Sequence, residues 1–360
     1  MPTVQAPQSH GQRFFSEESR AFPGPLAVMK SDPLLQVAVF GAGTFGRNHI
    51  RIYRQLETHG VRLAAVVDID PATAEALRAE GLNVFSSPEA CLQAYREGRI
   101  QLDAVSICVP TSAHYSVASQ ALGQGLDVLL EKPIAVNLTE ADALVEQAAA
   151  SGRILQVGLL ERFNPAVTVA EALVNGPMFF EAHRLSIFHR RALDVDVVLD
   201  LMIHDLDIVL HLTRSPVSRL HAVGLRILSS QVDIANVRVE FASGCVANFT
   251  ASRVSTETVR KLRFFQPHQY LSIDYARQDL LIINVASGEG GPALALEKPP
   301  VTSGEPLLLE IQAFLQSVRT RTRPRVTPRQ ARDALALALD INREIEAHAT
   351  RAGLIRTEPH

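Results

Sequence analysis

Val37-Ala38-Val39-Phe40-Gly41-Ala42-Gly43-Thr44-Phe45-Gly46 is a short apolar run that feeds directly into a G-x-G-x-x-G loop, and Asp68 closes the next apolar run. Each glycine has a separate duty in such a loop. Gly41 permits the tight strand-to-helix turn, Gly43 lets the backbone approach a diphosphate with no Cβ in the way, and Gly46 lets the following helix pack close to the strand. The free amides and positive dipole end of that helix then face the phosphates. Asp68 falls roughly 20 residues beyond the loop, where an acid accepts hydrogen bonds from both adenosine ribose hydroxyls and repels a 2′-phosphate. The residues after it are Ile69 and Asp70, with no arginine. The pattern therefore predicts a dinucleotide site that prefers NAD to NADP.

The 360 residues are 47% hydrophobic and 20% charged, which suits two packed domains of ordinary globular composition. A net charge of −3 with interspersed signs gives no field for nucleic acid or an anionic membrane, and neither is expected as a partner. Cys91, Cys108 and Cys245 are far apart and odd in number, so no disulfide framework or thiolate metal site is expected, and a reducing cytoplasm fits. No apolar run reaches the roughly 18–20 residues of a membrane span.

From Leu35 to Gly158, apolar strand runs alternate with helical stretches, as a doubly wound parallel sheet requires. Ligands of such sheets lie at the carboxyl ends of the strands, the edge that carries Gly43, Asp68, Pro110 to His114, and Lys132. Helix starts are expected at Pro71 and at Thr139, with Asp142 completing a capping arrangement. Beyond Gly158, one helical stretch, Val195 to Leu212, is followed by six β-rich runs between Arg219 and Val285, then by helices at about Leu307 to Val318 and Pro328 to Ala349. The expected fold is α/β: an N-terminal Rossmann sheet plus a C-terminal α+β domain with an open, mostly antiparallel sheet. Its expected divisions are a flexible extension 1–33, a dinucleotide-binding domain 34–158, a substrate-binding and oligomerisation domain with closing helices 159–350, and a tail 351–360.

Lys132, in Glu131-Lys132-Pro133, ends a strand at the ligand edge, where an ammonium can hold a substrate hydroxyl and stabilise alkoxide character. Asp196, Asp200, His204, Asp207 and His211 recur at helical steps among apolar neighbours and form one polar stripe. Asp200 and His204, four apart, predict a carboxylate that orients and supports a protonated imidazole, and a histidine titrating near neutrality suits removal of an alcohol proton. A satisfied core network is the alternative reading of the same stripe. No H-E-x-x-H or cysteine support accompanies it, so no metal is expected. At the domain junction, Glu161-Arg162-Phe163-Asn164-Pro165 offers Arg162 for phosphate or, alternatively, for a structural salt bridge, and Asn164 for a sugar or amide group. Arg184, Arg190 and Arg191 add positive charge and read as surface ion pairs.

Together the glycine loop, Asp68, Pro110-Thr111 with His114, Glu131-Lys132-Pro133, and the Asp200/His204 pair resemble the glucose-fructose oxidoreductase, inositol dehydrogenase and MocA family of NAD(P)-dependent oxidoreductases. The resemblance runs from Leu35 to about Ala349. It implies NAD held by Gly41, Gly43, Thr44, Phe45, Gly46, Asp68, Pro110, Thr111, His114, Glu131 and Lys132, and a catalytic set of Lys132, Asp200 and His204. It also implies substrate in the interdomain cleft and a homodimer or homotetramer built through the second sheet. Within that family, Val157 to Ala166 and Val198 to Asp207 resemble the bacterial UDP-N-acetylglucosamine 3-dehydrogenases, with Leu159 departing where a histidine is expected. That narrower likeness implies a UDP-linked amino sugar oxidised at C3, Arg162, Asn164 and His204 as substrate contacts, and a downstream aminotransferase that makes the 3-amino sugar of lipid A. Other implied activities are those of a different sugar, cyclitol or UDP-N-acetylhexosaminuronate dehydrogenase, or of a non-catalytic NAD-binding regulator.

Overall fold

The computed structural model describes residues 34–188, 195–288 and 291–353. The expected extension 1–33, Arg190, Arg191 and most of the 351–360 tail lie outside them. The glycine-loop strand β1 (Leu35–Phe40) leads into α1 (Thr44–Gln55). Then come β2 (Val61–Val67), α2 (Pro71–Ala79), β3 (Val84–Phe85), α3 (Pro88–Arg96), β4 (Ala104–Ile107), α4 (His114–Gly123), β5 (Asp127–Glu131), α5 (Leu138–Ser151) and β6 (Leu155–Gly158). The strands form one sheet in the order β3-β2-β1-β4-β5-β6, and every pairing is parallel. Chain order reverses between β1 and β4, which sets the ligand crevice at their carboxyl ends. Alternation along β1 divides the core: Val37 and Val39 pack against α1 and α2, while Ala38 and Phe40 pack against α3, α4 and α5. Asp70 caps α2 ahead of Pro71. The cap of α5 is Asn137, whose side chain accepts the Glu140 N–H, rather than Thr139; Asp142 instead binds Arg332.

The second domain opens with α6 (Pro165–Glu171), β7 (Phe179–Ile187) and α7 (Ile203–Thr213). It continues through β8 (Val217–Leu225), β9 (Ile234–Phe241), β10 (Val246–Ser255), β11 (Val259–Gln266), β12 (Gln269–Asp274), β13 (Asp279–Gly288) and β14 (Gly291–Glu297). The sheet order is β14-β13-β12-β11-β7-β10-β9-β8, antiparallel except for β7 against β10. The six strands expected from sequence are joined by β7 and β14, and β7 occupies the middle of the sheet. One face of this sheet is dry: Phe180, Ala182, Leu262, Phe264, Leu271 and Ile273 share a core with α6 and α7.

Two closing helices, α8 (Pro306–Thr320) and α9 (Pro328–Arg351), tie the halves together. Ile311, Phe314, Leu315 and Val318 of α8 pack with α1 beneath the first sheet. Along α9, Ala331, Ala334 and Leu335 join the first core, whereas Leu337, Ala338, Ile341 and Ile345 join the second. One apolar helix face thus fixes one domain against the other.

The closeness of α1 to β1 depends on Gly46, where a Cβ would stand 1.9 Å from the Gly41 carbonyl oxygen. Overpacking against immovable backbone costs about 1–3 kcal/mol. Gly46→Ala is therefore expected to lower the urea midpoint of unfolding and to weaken NAD binding, and an unchanged midpoint with full NAD affinity would contradict this packing.

Candidate active site

At the carboxyl end of β1, Gly41 adopts φ +90°, and a Cβ there would meet the Cys108 carbonyl at 2.7 Å. Gly43 is the N-cap of α1 and supplies no capping side chain; a Cβ on it would meet nothing within 4 Å. The first turn of α1, with Thr44, Phe45 and Gly46, carries no acidic residue, so its amides and dipole are left for an outside anion. Asp68 is fixed beside the loop: one carboxylate oxygen accepts the Ala42 N–H at 2.7 Å and the other accepts the Asp70 N–H at 2.9 Å. These residues fit NAD, with a diphosphate over Gly43 and a ribose diol at Asp68.

Pro110 opens a single 3-10 turn, Thr111–Ala113, that leads into His114. His114 itself is buried, with Nδ1 2.7 Å from the Pro133 carbonyl and Nε2 3.0 Å from the Val109 carbonyl. Burial pulls its pKa below the usual imidazole value. The ring therefore pins the loop after β4 to the loop after β5, and the expected contact of this side chain with the cofactor is corrected to that bracing role. Glu131 is likewise turned inward. Its carboxylate meets His49 Nε2 at 3.0 Å and accepts the Lys132 N–H at 3.3 Å, and a Cβ on Gly158 would collide with it. Glu310 of α8 is buried nearby, its carboxyl held well above the usual range by burial and by the charge of Glu131. Nothing in the sequence marked His49 or Glu310, because each sits in an ordinary amphipathic helix pattern.

The Lys132–Pro133 peptide is cis. The Lys132 ammonium crosses to the second domain, where it donates to the Asp200 carbonyl at 2.7 Å and to its carboxylate at 3.2 Å. Asp200 lies in a π-helical turn, Val198–Met202, inserted just before α7, so the single helix expected over Val195 to Leu212 is two segments. A π turn has a looser hydrogen-bond ladder than an α turn and recurs at functional sites; here its Asp200 carbonyl accepts from a side chain. Asp200 makes no hydrogen bond to His204 among the described residues. The expectation that it supports a protonated imidazole is corrected accordingly: the carboxylate is committed to Lys132.

His204 is buried, and its pKa is held well below the ordinary value, first by desolvation and then by the positive charges of Lys132, Arg184 and Arg260. Its Nδ1 is buried without a hydrogen bond, which leaves Nε2 as the ring nitrogen available to a ligand. At neutral pH the imidazole is neutral, the form that accepts a proton. The rest of the stripe disperses. Asp196 accepts from the Val198 and Leu199 amides and from Asn342, Asp207 pairs with Arg162, and His211 pairs with Glu171.

The structure does not bring Arg162 and Asn164 to the cleft. Arg162 is 1% exposed, with Nη1 3.2 Å from Asp207, and its carbonyl accepts from Arg325. Asn164 is 1% exposed and caps α6 through the Ala166 N–H while donating to the Tyr275 carbonyl at 3.0 Å. A guanidinium and an amide placed at a buried domain junction satisfy one another's neighbours, so both are corrected from substrate contacts to structural ones. Arg184, expected on the surface, is also buried: it grips Asp205 at 2.6 and 3.0 Å and Glu161 at 2.9 Å, with its guanidinium carbon 5.0 Å from the Tyr275 ring centre.

A dinucleotide seat that faces an ammonium and a neutral imidazole is equipped to take a proton and a hydride from one carbinol, which defines a dinucleotide-dependent oxidoreductase. The model of the oxidoreductase family NAD-binding Rossmann fold matches residues 35–159, and that of the Gfo/Idh/MocA C-terminal domain matches residues 167–265. The chain belongs to the Gfo/Idh/MocA family of NAD-dependent oxidoreductases. It is 34% identical over 321 residues to UDP-N-acetylglucosamine 3-dehydrogenase of Acidithiobacillus ferrooxidans, an alignment that covers 88% of this chain and 99% of that one. A solved structure of the Acidithiobacillus ferrooxidans enzyme superposes with a TM-score of 0.79 at 33% identity, covering 87% of this chain and 98% of that one. Inositol 2-dehydrogenase of Paracoccus denitrificans is 30% identical over 184 residues, or 49% of this chain and 53% of that one. An oxidoreductase from Agrobacterium radiobacter, solved with NAD+, L-tartaric acid and magnesium, shares the fold at 16% identity and a TM-score of 0.74, covering 87% of this chain and 96% of that one.

Two outcomes follow from this geometry. Removing one member of a buried ion pair costs about 3–5 kcal/mol; Arg162→Met should therefore lower the denaturation midpoint, yet leave KM for the sugar near wild type in whatever fraction remains folded. A KM increase without loss of stability would restore Arg162 to the substrate site. The pKa of folded His204 lies below its unfolded value, so its contribution to stability is present above about pH 6.5 and is lost as pH falls below it. The stability of wild type should decline more steeply than that of His204→Gln between pH 7.5 and the acid range in urea titrations, and parallel curves would refute the buried neutral imidazole.

Proposed function

We propose that this chain oxidises the C3 hydroxyl of UDP-N-acetylglucosamine to the 3-keto sugar with NAD+. The observation that carries the reading is the Lys132 ammonium bonded to Asp200 within one turn of His204, so that cation and imidazole border the same cleft edge. Similarity over nearly the full length to a UDP-N-acetylglucosamine 3-dehydrogenase supports the choice of substrate. When bound, NAD+ supplies the acceptor for the hydride leaving C3. His204 Nε2, neutral and available to a ligand, takes the hydroxyl proton. Lys132, already held by Asp200, donates a hydrogen bond to the same oxygen and steadies its developing negative charge. The imidazolium has no counter-ion in hydrogen-bonding reach on Nδ1, so the proton is not retained and passes outward.

The 3-keto product is a carbonyl of the kind that an aminotransferase converts to a 3-amino sugar, and supply of the amino sugar of lipid A is the role we assign. Three free cysteines agree with a reducing cytoplasm, and no helix of the described residues is long and apolar enough to cross a membrane. The outer face of the second sheet, where Leu294 and Leu296 are exposed, is the surface we assign to a homodimer or homotetramer.

Purified protein with NAD+ and UDP-N-acetylglucosamine is expected to raise the NADH absorbance, whereas myo-inositol and the corresponding uronate leave it flat; no signal with the first sugar would overturn the substrate. His204→Ala should cut kcat about 10²–10⁴-fold and Lys132→Ala about 10²–10³-fold, both with NAD affinity close to wild type. A wild-type rate in either variant would refute its role.

A further inference from the structure

Arg260 stands directly opposite Arg184 in the antiparallel β7–β11 ladder. Residues paired in this way project to one face of a sheet. That face is the inner one, since Leu262 and Phe264, two and four residues beyond Arg260 in β11 and so on its face, are both buried. The Arg184 side chain on it is bound to Asp205, the residue after His204. On the other side of Arg260, Tyr275 donates its backbone N–H to the Arg260 carbonyl at 3.0 Å. Arg260 therefore leaves the inner face of the sheet beside Arg184, whose partner Asp205 follows His204, and its charge is felt by that imidazole.

The neighbouring cations are already matched. Arg184 has Asp205 and Glu161, Lys132 has Asp200, and on the outer face Arg263 has Glu181 and Lys261 has Asp274. Arg260 is exposed, and among the described residues its guanidinium has neither a hydrogen bond nor an ion pair. A cation held at the edge of a reaction cleft without an internal anion presents its donors to an external one, and guanidinium matches phosphate bidentately.

We infer that Arg260 is the substrate's anion-binding residue, taking the diphosphate of a nucleotide sugar whose reacting hydroxyl lies at His204. The inference deepens the proposed function and rests on it for the identity of the sugar. It assigns Arg260 to affinity rather than to chemistry, and it predicts that a nucleotide-linked sugar is favoured over the free one.

The test has two arms. Calorimetric titration of UDP into the NADH-loaded enzyme measures the diphosphate site without turnover: Arg260→Ala should weaken binding about 10- to 100-fold, with Arg260→Lys intermediate. In the second arm, turnover of UDP-N-acetylglucosamine and of free N-acetylglucosamine is followed at the NADH band. Arg260→Ala should raise KM for the nucleotide sugar by a similar factor, with KM for the free sugar unaffected. UDP affinity equal in wild type and Arg260→Ala, or no UDP binding by wild type, would overturn the inference. Equal KM increases for both sugars would do so too, by showing a positional effect instead of anion recognition. Failure of wild type to oxidise UDP-N-acetylglucosamine while the UDP result holds would instead defeat the choice of sugar and leave the anion site standing.

Discussion

The Lys132 ammonium reaching from the first domain to the carbonyl and carboxylate of Asp200 in the second is the contact around which the site is organised. It joins a strand end of the nucleotide-binding sheet to the helix that carries His204, so the two groups to which we assign the chemistry are held in register across the domains. The partnership also sets the charges. With Asp200 committed to Lys132, the imidazole keeps no carboxylate of its own, and burial first, then the nearby cations, hold it neutral. An acid/base pair usually reads as carboxylate plus histidine; here the carboxylate instead orients the cation, and the histidine stands apart from it as the base of the reaction we propose.

Beneath this edge the protein spends its buried charges on rigidity. Arg184, Asp205 and Glu161 form one network, and Arg162, Asp207, Arg325 and Glu171 form a second, both at the junction between β6 and α7. Buried ions of this kind add little net stability beside apolar packing, but each arrangement of partners admits few alternatives. They fix where the first turns of α7 point. His114 does the same for the other wall, wedged between the Val109 and Pro133 carbonyls and donating its one N–H to one of them.

Much of this was legible in the sequence. The order of apolar runs and glycines from Leu35 to Gly158 predicts the parallel sheet and the ligand edge, because a buried strand and a tight βα turn leave local marks. The strands β7 and β14 were not visible in that way. Along β7, Phe179, Glu181, His183 and Leu185 alternate with Phe180, Ala182 and Arg184, so buried arginine and half-buried phenylalanine blur the period of two. The D-x-x-x-H spacing singles out Asp200 and His204, yet it could not show the π turn or Lys132 arriving from another domain. Arg162 and Asn164 failed for the opposite reason: their chemistry suits a ligand, and only tertiary burial reveals that their partners are internal. Arg260 carries no local signal, since its place opposite Arg184 comes from strand pairing alone.

The central claim is that one substrate oxygen meets both Lys132 Nζ and His204 Nε2. Its most direct test is a crystal structure of the wild-type protein with NADH and UDP-N-acetylglucosamine. The account predicts both nitrogens within about 3.2 Å of the C3 oxygen. A well-ordered sugar whose C3 oxygen touches neither, with Lys132 still closed on Asp200 and His204 facing away, would contradict it.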